Sequence, residues 1–224
     1  MIEPKLDARR LLSTEPIGEV SIPRLYAYHR ALRAARSSGK RTITSHGLAA
    51  LLGHTIASTQ IRKDLCALGP LGRRGQGYTI DPLVQQLACV LGLEHDWRIA
   101  IVGFGYLGRA FAAFITTREA RFNVAAIFDR SPTVVGQSWQ GIVVRDVEEM
   151  ERALPESGCK IAVISVPAQV AQECATRVAD LGVRAILNFA PTPLELRGPV
   201  IVRNIDLAGE MAILTHRLNL GSLE

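Results

Sequence analysis

Three glycines, Gly103, Gly105 and Gly108, stand in Gly-x-Gly-x-x-Gly spacing directly after the apolar run Ile99–Val102. A strand turning sharply into a helix through such a triplet converges backbone N–H groups and a helix N-terminus on one point, an arrangement suited to a pyrophosphate. In this reading Gly103 makes the tight turn, Gly105 lets the backbone approach the anion, and Gly108 lets the helix pack close to the strand. Phe104, Tyr106 and Leu107 fill the same loop. The next apolar run, "VAAIFD", ends in Asp129, a carboxylate placed to accept hydrogen bonds from ribose hydroxyls. It lies 26 residues beyond Gly103, against a usual separation of about 20, so a longer crossover is expected. Asp129 repels a 2′-phosphate and so favours NAD(H) over NADP(H), a preference that the adjacent Arg130 softens. Two later runs end at Val166-Pro167 and at Asn188-Phe189-Ala190-Pro191. Such loops either flank a nicotinamide across the carboxyl ends of the strands or simply terminate them.

A second set of residues suits a different ligand. Between Arg24 and Tyr78 the chain carries ten Lys/Arg and a single acid, Asp64. Residues 1–97 hold 13 basic against 8 acidic side chains, whereas residues 98–224 hold 13 of each. A one-signed stretch beside a neutral remainder points to a polyanion-binding module joined to a second domain. In "STQIRKDLCALG", Thr59, Arg62, Lys63 and Cys66 recur at helical spacing opposite Ile61, Leu65 and Leu68, with Ser58 as the expected N-cap. Such a helix can enter a major groove, with Arg62 and Lys63 reaching guanine edges and Gln60 an adenine edge. Arg73 and Arg74, at the tip of "GRRGQGY", are placed to reach a minor groove or its flanking phosphates.

The elements that position these groups follow from periodicity. "IPRLYAYHRALRAARSSGK" sets Leu25, Tyr28, Leu32 and Ala35 on one helical face and stops at Gly39; "TITSHGLAALLGH" reads as a short helix opened by Thr44 or Ser45. Three helices followed by a small basic hairpin outline a winged helix, and "PLVQQLACVLGLEHDW" reads as a helix leading to the next domain. From Arg98 onward, expected strands at 99–102, 124–128, 142–144, 161–166, 185–188 and 200–202 alternate with helices starting near Leu107, Val147, Ala168 and Asp206. That alternation predicts a parallel sheet covered on both faces. The expected domains are a loosely packed leader at 1–20, a winged helix at 21–83, a Rossmann domain at 84–205 and a last helix at 206–224.

Composition narrows the function classes. No apolar run is long enough for a membrane span, and the first twenty residues lack the apolar core of a signal peptide, so a cytoplasmic location is expected. The four cysteines show no C-x-x-C spacing and read as reduced, mostly buried small side chains, and the histidines form no ligand pair, so no metal is expected. A hydride-transfer enzyme needs a substrate pocket and an acid or base near the nicotinamide. After the glycine loop only His216 and Lys160 represent their residue types, and the cofactor domain consumes most of the remaining chain. No catalytic residue is therefore expected, although a small NAD(P)-dependent reductase and a CoA- or nucleotide-binding module stay open as alternatives.

The stretches "IPRLYAYHR", "TQIRKDLCALGPLGRRGQGYTI", "VGFGYLGRA", "FDRSP", "ISVP", "ILNFAP" and "NIDLAGEM" together resemble the Rex family of redox-sensing transcriptional repressors, from about Ser21 to the C-terminus. The resemblance implies an α/β protein with an N-terminal winged-helix (helix-turn-helix) DNA-binding domain, a Rossmann NAD(H)-binding domain and a domain-swapped C-terminal helix. It further implies a homodimer on an inverted-repeat operator in double-stranded DNA, released when NADH binds, with the dinucleotide sensed rather than consumed. By position it assigns Asp206 to a redox switch, with Arg30 as its partner in the DNA-binding state, and places Leu207 near the partner subunit's nicotinamide. Relatives commonly carry a tyrosine where this chain has Phe114, whose ring cannot donate a hydrogen bond to the switching aspartate. Arg130-Ser131 likewise departs from the more usual small-acidic pair.

Overall fold

The computed structural model describes residues 17–73, 76–118 and 121–221, and its chain divides into two compact units between His95 and Asp96. In the first unit, helix α1 (Ile22–Ser37) starts with a proline in its first turn and buries Leu25, Tyr28, His29, Leu32 and Ala35. Helix α2 (Ser45–Leu51) is capped by Thr44, whose hydroxyl accepts from the Gly47 amide at 3.0 Å. Helix α3 (Ser58–Cys66) turns Ile61, Asp64 and Leu65 inward. Its N-cap is Ala57, which makes no side-chain cap, so the cap expected of Ser58 is absent and Ser58 is the first helical residue.

A three-stranded antiparallel sheet completes the unit in the order β1-β3-β2, from β1 (Thr42–Ile43), β2 (Gly72–Arg73) and β3 (Gly77–Thr79). Strand β1 is an addition to the expected elements: two residues carry no periodicity, and they are extended because Thr42 and Ile43 pair with Thr79 and Tyr78. Helix α4 (Ile80–Val90) buries Ile80, Leu83, Val84 and Leu87 in the same core as α1. The boundary expected at residue 83 therefore falls inside a helix whose apolar stripe belongs to the first unit. Of the expected leader, residues 1–16 lie outside the described residues, while Ile17 packs against this core and Glu19–Ser21 form a 3-10 turn.

The second unit is a seven-stranded sheet in the order β10-β9-β8-β4-β5-β7-β6. Its strands are β4 (Trp97–Val102), β5 (Phe122–Asp129), β6 (Ser138–Trp139), β7 (Ile142–Asp146), β8 (Ile161–Ile164), β9 (Ala185–Asn188) and β10 (Ile201–Asn204). All neighbours run parallel except the short β6, an unanticipated strand that hairpins onto β7. Period-two alternation along β4 sends Ile99 and Ile101 to one face and Ala100 and Val102 to the other. Helix α5 (Tyr106–Arg118) covers the first face through Ala112, Phe111 and Ile115. Helices α6 (Met150–Ser157) and α7 (Ala168–Asp180) cover the second through Met150, Leu154, Ala171, Ala175 and Val178. The last helix, α8 (Leu207–Asn219), buries no residue, and Leu207, Met211, Ile213, Leu214 and Leu218 are all exposed. Among the described residues no helix is long and apolar enough to cross a membrane, and no cluster of side chains could hold a metal ion.

Candidate functional site

The turn from β4 into α5 is built by its glycines. Gly103 has φ +91°, a left-handed conformation, and a Cβ there would lie 2.6 Å from the Ser165 carbonyl oxygen in the loop after β8. Its amide donates to the Phe128 carbonyl at 2.8 Å, tying the turn to β5. A Cβ on Gly108 would run into the Gly103 carbonyl and sit 3.0 Å from the Ser165 hydroxyl, so the helix can approach this closely only without a side chain. Nothing lies within 4 Å of where a Cβ on Gly105 would stand, and this open side faces a cavity of about 440 Å³. The Ser165 hydroxyl donates to the Gly103 carbonyl at 2.7 Å and so closes the seam between β4 and β8. Sequence reasoning passed over this serine, although it stands in the strand-ending "ISVP".

Asp129, at the end of β5, uses both carboxylate oxygens locally. Oδ2 accepts from the Phe104 amide at 2.5 Å and Oδ1 from the Ser131 amide at 2.8 Å. A carboxylate offers about four acceptor positions, so these bonds fix its orientation and leave capacity for ribose hydroxyls. The long separation from Gly103 is taken up by the 13 residues of α5 and the eight of β5. Six of the expected residues line the one cavity: Gly103, Gly105, Asp129, Arg130, Val166 and Pro167. Its other wall, for which no residue was expected, is made by Asp146 at the end of β7, by Val147 and Met150 just beyond it, and by Val170, Cys174 and Arg177 on α7. Arg177 is held there by Glu151, with Nη2 donating at 2.6 Å, and the pairing keeps the Glu151 carboxyl below its ordinary range.

Other expected residues are placed differently. Phe104 is buried and offers no side chain to the cavity, while Tyr106 is 98% exposed and Leu107 is also exposed. Asn188 is fully buried, and its side chain is consumed by the loop. Its Nδ2 donates to the Thr192 carbonyl and to Asn204 Oδ1, both at 2.8 Å, and its Oδ1 accepts from the Ala190 amide at 3.0 Å. Asn188 thus shapes this loop through its side chain. Phe189 stacks edge-on against Phe111 and lines a second cavity of about 390 Å³ together with Asp206 and Leu207. Asp206 caps α8, accepting from the Gly209 amide at 2.9 Å. Phe114 is 60% exposed on α5 and lines neither cavity. The cysteines are less buried than expected: only Cys159 is buried, and Cys66 is exposed.

In the first unit α3 presents Thr59, Arg62, Lys63 and Cys66 together on its exposed face. A groove of about 750 Å³ runs beside it, walled by Arg62 and Cys66, by Gly72, Gly77 and Tyr78 of the hairpin, and by Thr44, Ser45 and His46. Arg73 lies in β2, and Arg74 lies outside the described residues. Gln60 does not join the exposed face. Its Nε2 donates to Asp64 Oδ1 at 2.7 Å, so its amide is engaged by the fold. Asp64 also accepts from Arg24 through Nε at 2.7 Å and Nη2 at 2.9 Å, and from the Tyr28 hydroxyl at 2.8 Å. Burial raises the Asp64 carboxyl, but the bonds from Arg24, Tyr28 and Gln60 prevail and hold it below its usual value. The one acid of the basic stretch is thus neutralised from within, and the charge of Arg62 and Lys63 is left outward.

Residues 16–66 match the family described as "Putative DNA-binding protein N-terminus", and residues 94–192 match the "CoA binding domain". The redox-sensing transcriptional repressor Rex of Roseiflexus sp. (strain RS-1) is 39% identical over 200 residues, spanning 89% of this chain and 90% of that protein. The chain belongs to the Rex family. The Rex of Streptomyces coelicolor is 41% identical over 198 residues, covering 88% of this chain and 76% of its own. Among solved structures, the Rex-family repressor RSP in complex with β-NAD⁺ and operator DNA is similar with a TM-score of 0.83 at 31% identity, over 93% of this chain and 96% of that one. RSP in complex with β-NADH is similar with a TM-score of 0.79 at 30% identity, over 94% and 98%. Rex relatives are named as transcriptional repressors, so this family places the Rossmann fold in a regulator rather than in a dehydrogenase.

The Gly108 seam gives a first expected result for a Rex protein built this way. Gly108→Ala drives a methyl into the Gly103 carbonyl and should displace the turn at a cost of about 1–3 kcal/mol. NADH affinity, followed by nucleotide fluorescence, is expected to fall at least about tenfold, with operator affinity in the absence of nucleotide retained.

Proposed function

We propose that this chain is an NADH-responsive repressor that binds an inverted-repeat operator as a homodimer in the cytoplasm and leaves it when NADH occupies the second unit. The observation that carries this reading is the similarity to RSP over both units, since RSP has been solved with NAD⁺ and operator DNA and with NADH. The cavity beside Gly103, Gly105 and Asp129 supports a dinucleotide as the ligand. In this reading Gly105 faces the pyrophosphate, Asp129 holds the adenine ribose, and Val166, Pro167, Phe189 and the partner subunit's Leu207 surround the nicotinamide. The exposed apolar side chains of α8 support an exchange of this helix between subunits. Asp206 and Arg30 then form the redox-dependent contact, and Phe114, without a hydroxyl, leaves the NADH-bound state to another donor.

DNA recognition falls to α3, with Arg62 and Lys63 on bases or phosphates, Ser58 and Thr59 on the backbone, and Arg73 and Arg74 at the wing. Arg62→Ala is expected to lower operator affinity about tenfold and to reduce the slope of log K against log salt by about one. An equal loss on operator and scrambled DNA marks a phosphate contact, and a loss confined to the operator marks base readout. The function itself is tested by fluorescence anisotropy on a labelled inverted-repeat operator. Saturating NADH should release the protein while NAD⁺ at the same concentration does not. Operator affinity that is unchanged by saturating NADH would overturn the proposal.

A further inference from the structure

Phe104, between the first two glycines, is held through both its amide and its carbonyl, the first by the end of β5 and the second by the first turn of α5. Its amide donates to Asp129 at 2.5 Å, and its carbonyl accepts from Arg109 Nε, one turn into α5, at 3.0 Å. Its buried ring lies under the Arg109 guanidinium, 4.7 Å from the ring centroid, and meets Trp139 edge-on with centroids 6.1 Å apart. Arg109 Nη2 then reaches across to Gln137 Oε1 at 2.9 Å, and Gln137 Nε2 donates to the Thr133 carbonyl at 2.7 Å. The turn that begins at Asp129 is therefore bonded back to the glycine loop at both of its ends, and Arg109 makes the second closure.

We infer that Arg109 is a positioning residue for dinucleotide binding, a brace that holds the glycine loop against the turn after Asp129; the inference rests on the dinucleotide reading of the site. Gly103 and Gly105 give this loop more backbone freedom than other residues would, and freezing it on binding carries an entropic cost. A loop fixed beforehand spends less of the ligand's interaction energy on ordering. Arg109 has the reach to do this because a guanidinium forks its donors in one plane, so a carbonyl and an amide oxygen can be held together while its face covers an aromatic ring. It is not among the residues lining the cavity and acts on the ligand through the Phe104 peptide. The loop faces the pyrophosphate, which NADH and NAD⁺ share, so the brace affects both redox forms equally and leaves their discrimination to residues around the nicotinamide.

The test uses the full chain, titrated with NADH by nucleotide fluorescence and with NAD⁺ by displacement of NADH. Arg109→Ala should raise both dissociation constants about tenfold, the size of a lost charge-assisted hydrogen bond. The ratio of the two constants should stay within about twofold of wild type, and nucleotide-free operator affinity should not change. Arg109→Lys, which keeps the charge but not the planar fork, should fail to restore binding. Gln137→Ala should give part of the loss, and adding it to Arg109→Ala should cost nothing further. NADH affinity within about twofold of wild type in Arg109→Ala, or a loss confined to one redox form, would overturn the inference. Should Arg109→Ala fail to fold, unchanged NADH affinity in both Arg109→Lys and Gln137→Ala would do the same. A wild-type chain that does not bind NADH would instead overturn the dinucleotide reading itself.

Discussion

Replacing Asp129 with alanine is expected to leave the protein bound to its operator at NADH concentrations that clear the wild type. The carboxylate is assigned the ribose hydroxyls, and it also anchors the amides of Phe104 and Ser131. Each hydrogen bond to a charged group contributes about 1.5–3 kcal/mol, so the loss of the ribose contacts together with the loop anchor should weaken NADH binding about a hundredfold. Asp129→Asn keeps an acceptor of the same shape without the charge and should fall between the two. Nucleotide fluorescence gives the affinity, and anisotropy on labelled operator gives the consequence. Release of Asp129→Ala at wild-type NADH concentrations would remove the role given to this residue.

The second large effect is on stability and concerns the other unit. Asp64 is 4% exposed and accepts four hydrogen bonds, two of them from Arg24, whose side chain is 26% exposed. Taking away one partner of a buried ion pair strands the other, at a cost of about 3–5 kcal/mol. Partial exposure of Arg24 puts Asp64→Ala near the lower figure, about 3 kcal/mol. A lower melting temperature and lost operator binding are expected, with NADH affinity retained because the cavity proposed for the nucleotide is lined only by residues of the second unit. The pH dependence follows from the direction of the shift. The folded state holds the Asp64 carboxyl below its ordinary value, so the network stabilises the fold above about pH 4, the unfolded value, and loses that contribution as pH falls below it. The stability gap between wild type and Asp64→Asn should therefore narrow in acid. A gap that widens below about pH 4 would contradict this account of the network.

What could be read from the sequence was what is set locally. The α1 stripe of Leu25, Tyr28, Leu32 and Ala35 is buried as its spacing predicts, because helical periodicity needs no knowledge of the partner. The glycine turn was legible because its spacing and the left-handed backbone at Gly103 belong to residues 103–108 themselves, whereas the close approach of Ser165 from the loop after β8 was not. Strands β1 and β6 were not, since each has two residues and exists only through pairing with a distant segment. The bonds of Asn188 were not legible either, because the end of a strand shows where a residue stands and not what its side chain bonds to. The bond from the Gln60 amide to Asp64 was likewise not anticipated. That bond had a signal: Asp64 falls on the inward stripe with Ile61, Leu65 and Leu68, and a lone acid there must find a buried partner. The wall of the cavity beyond Asp129 comes from β7 and α7, which only the sheet order brings beside the glycine loop.

In the proposed function the bound dinucleotide is a signal whose redox state sets DNA occupancy. Anisotropy of labelled operator, measured at fixed total nucleotide while the NADH/NAD⁺ ratio is varied, tests it most directly. A full reversal of occupancy from 99:1 to 1:99 would require NADH to favour the released state by about 5.5 kcal/mol. Operator occupancy is expected to fall along a single saturable curve as the ratio rises, with the Asp129→Ala curve displaced to higher NADH. Occupancy that is independent of the ratio, with NADH bound, would contradict it.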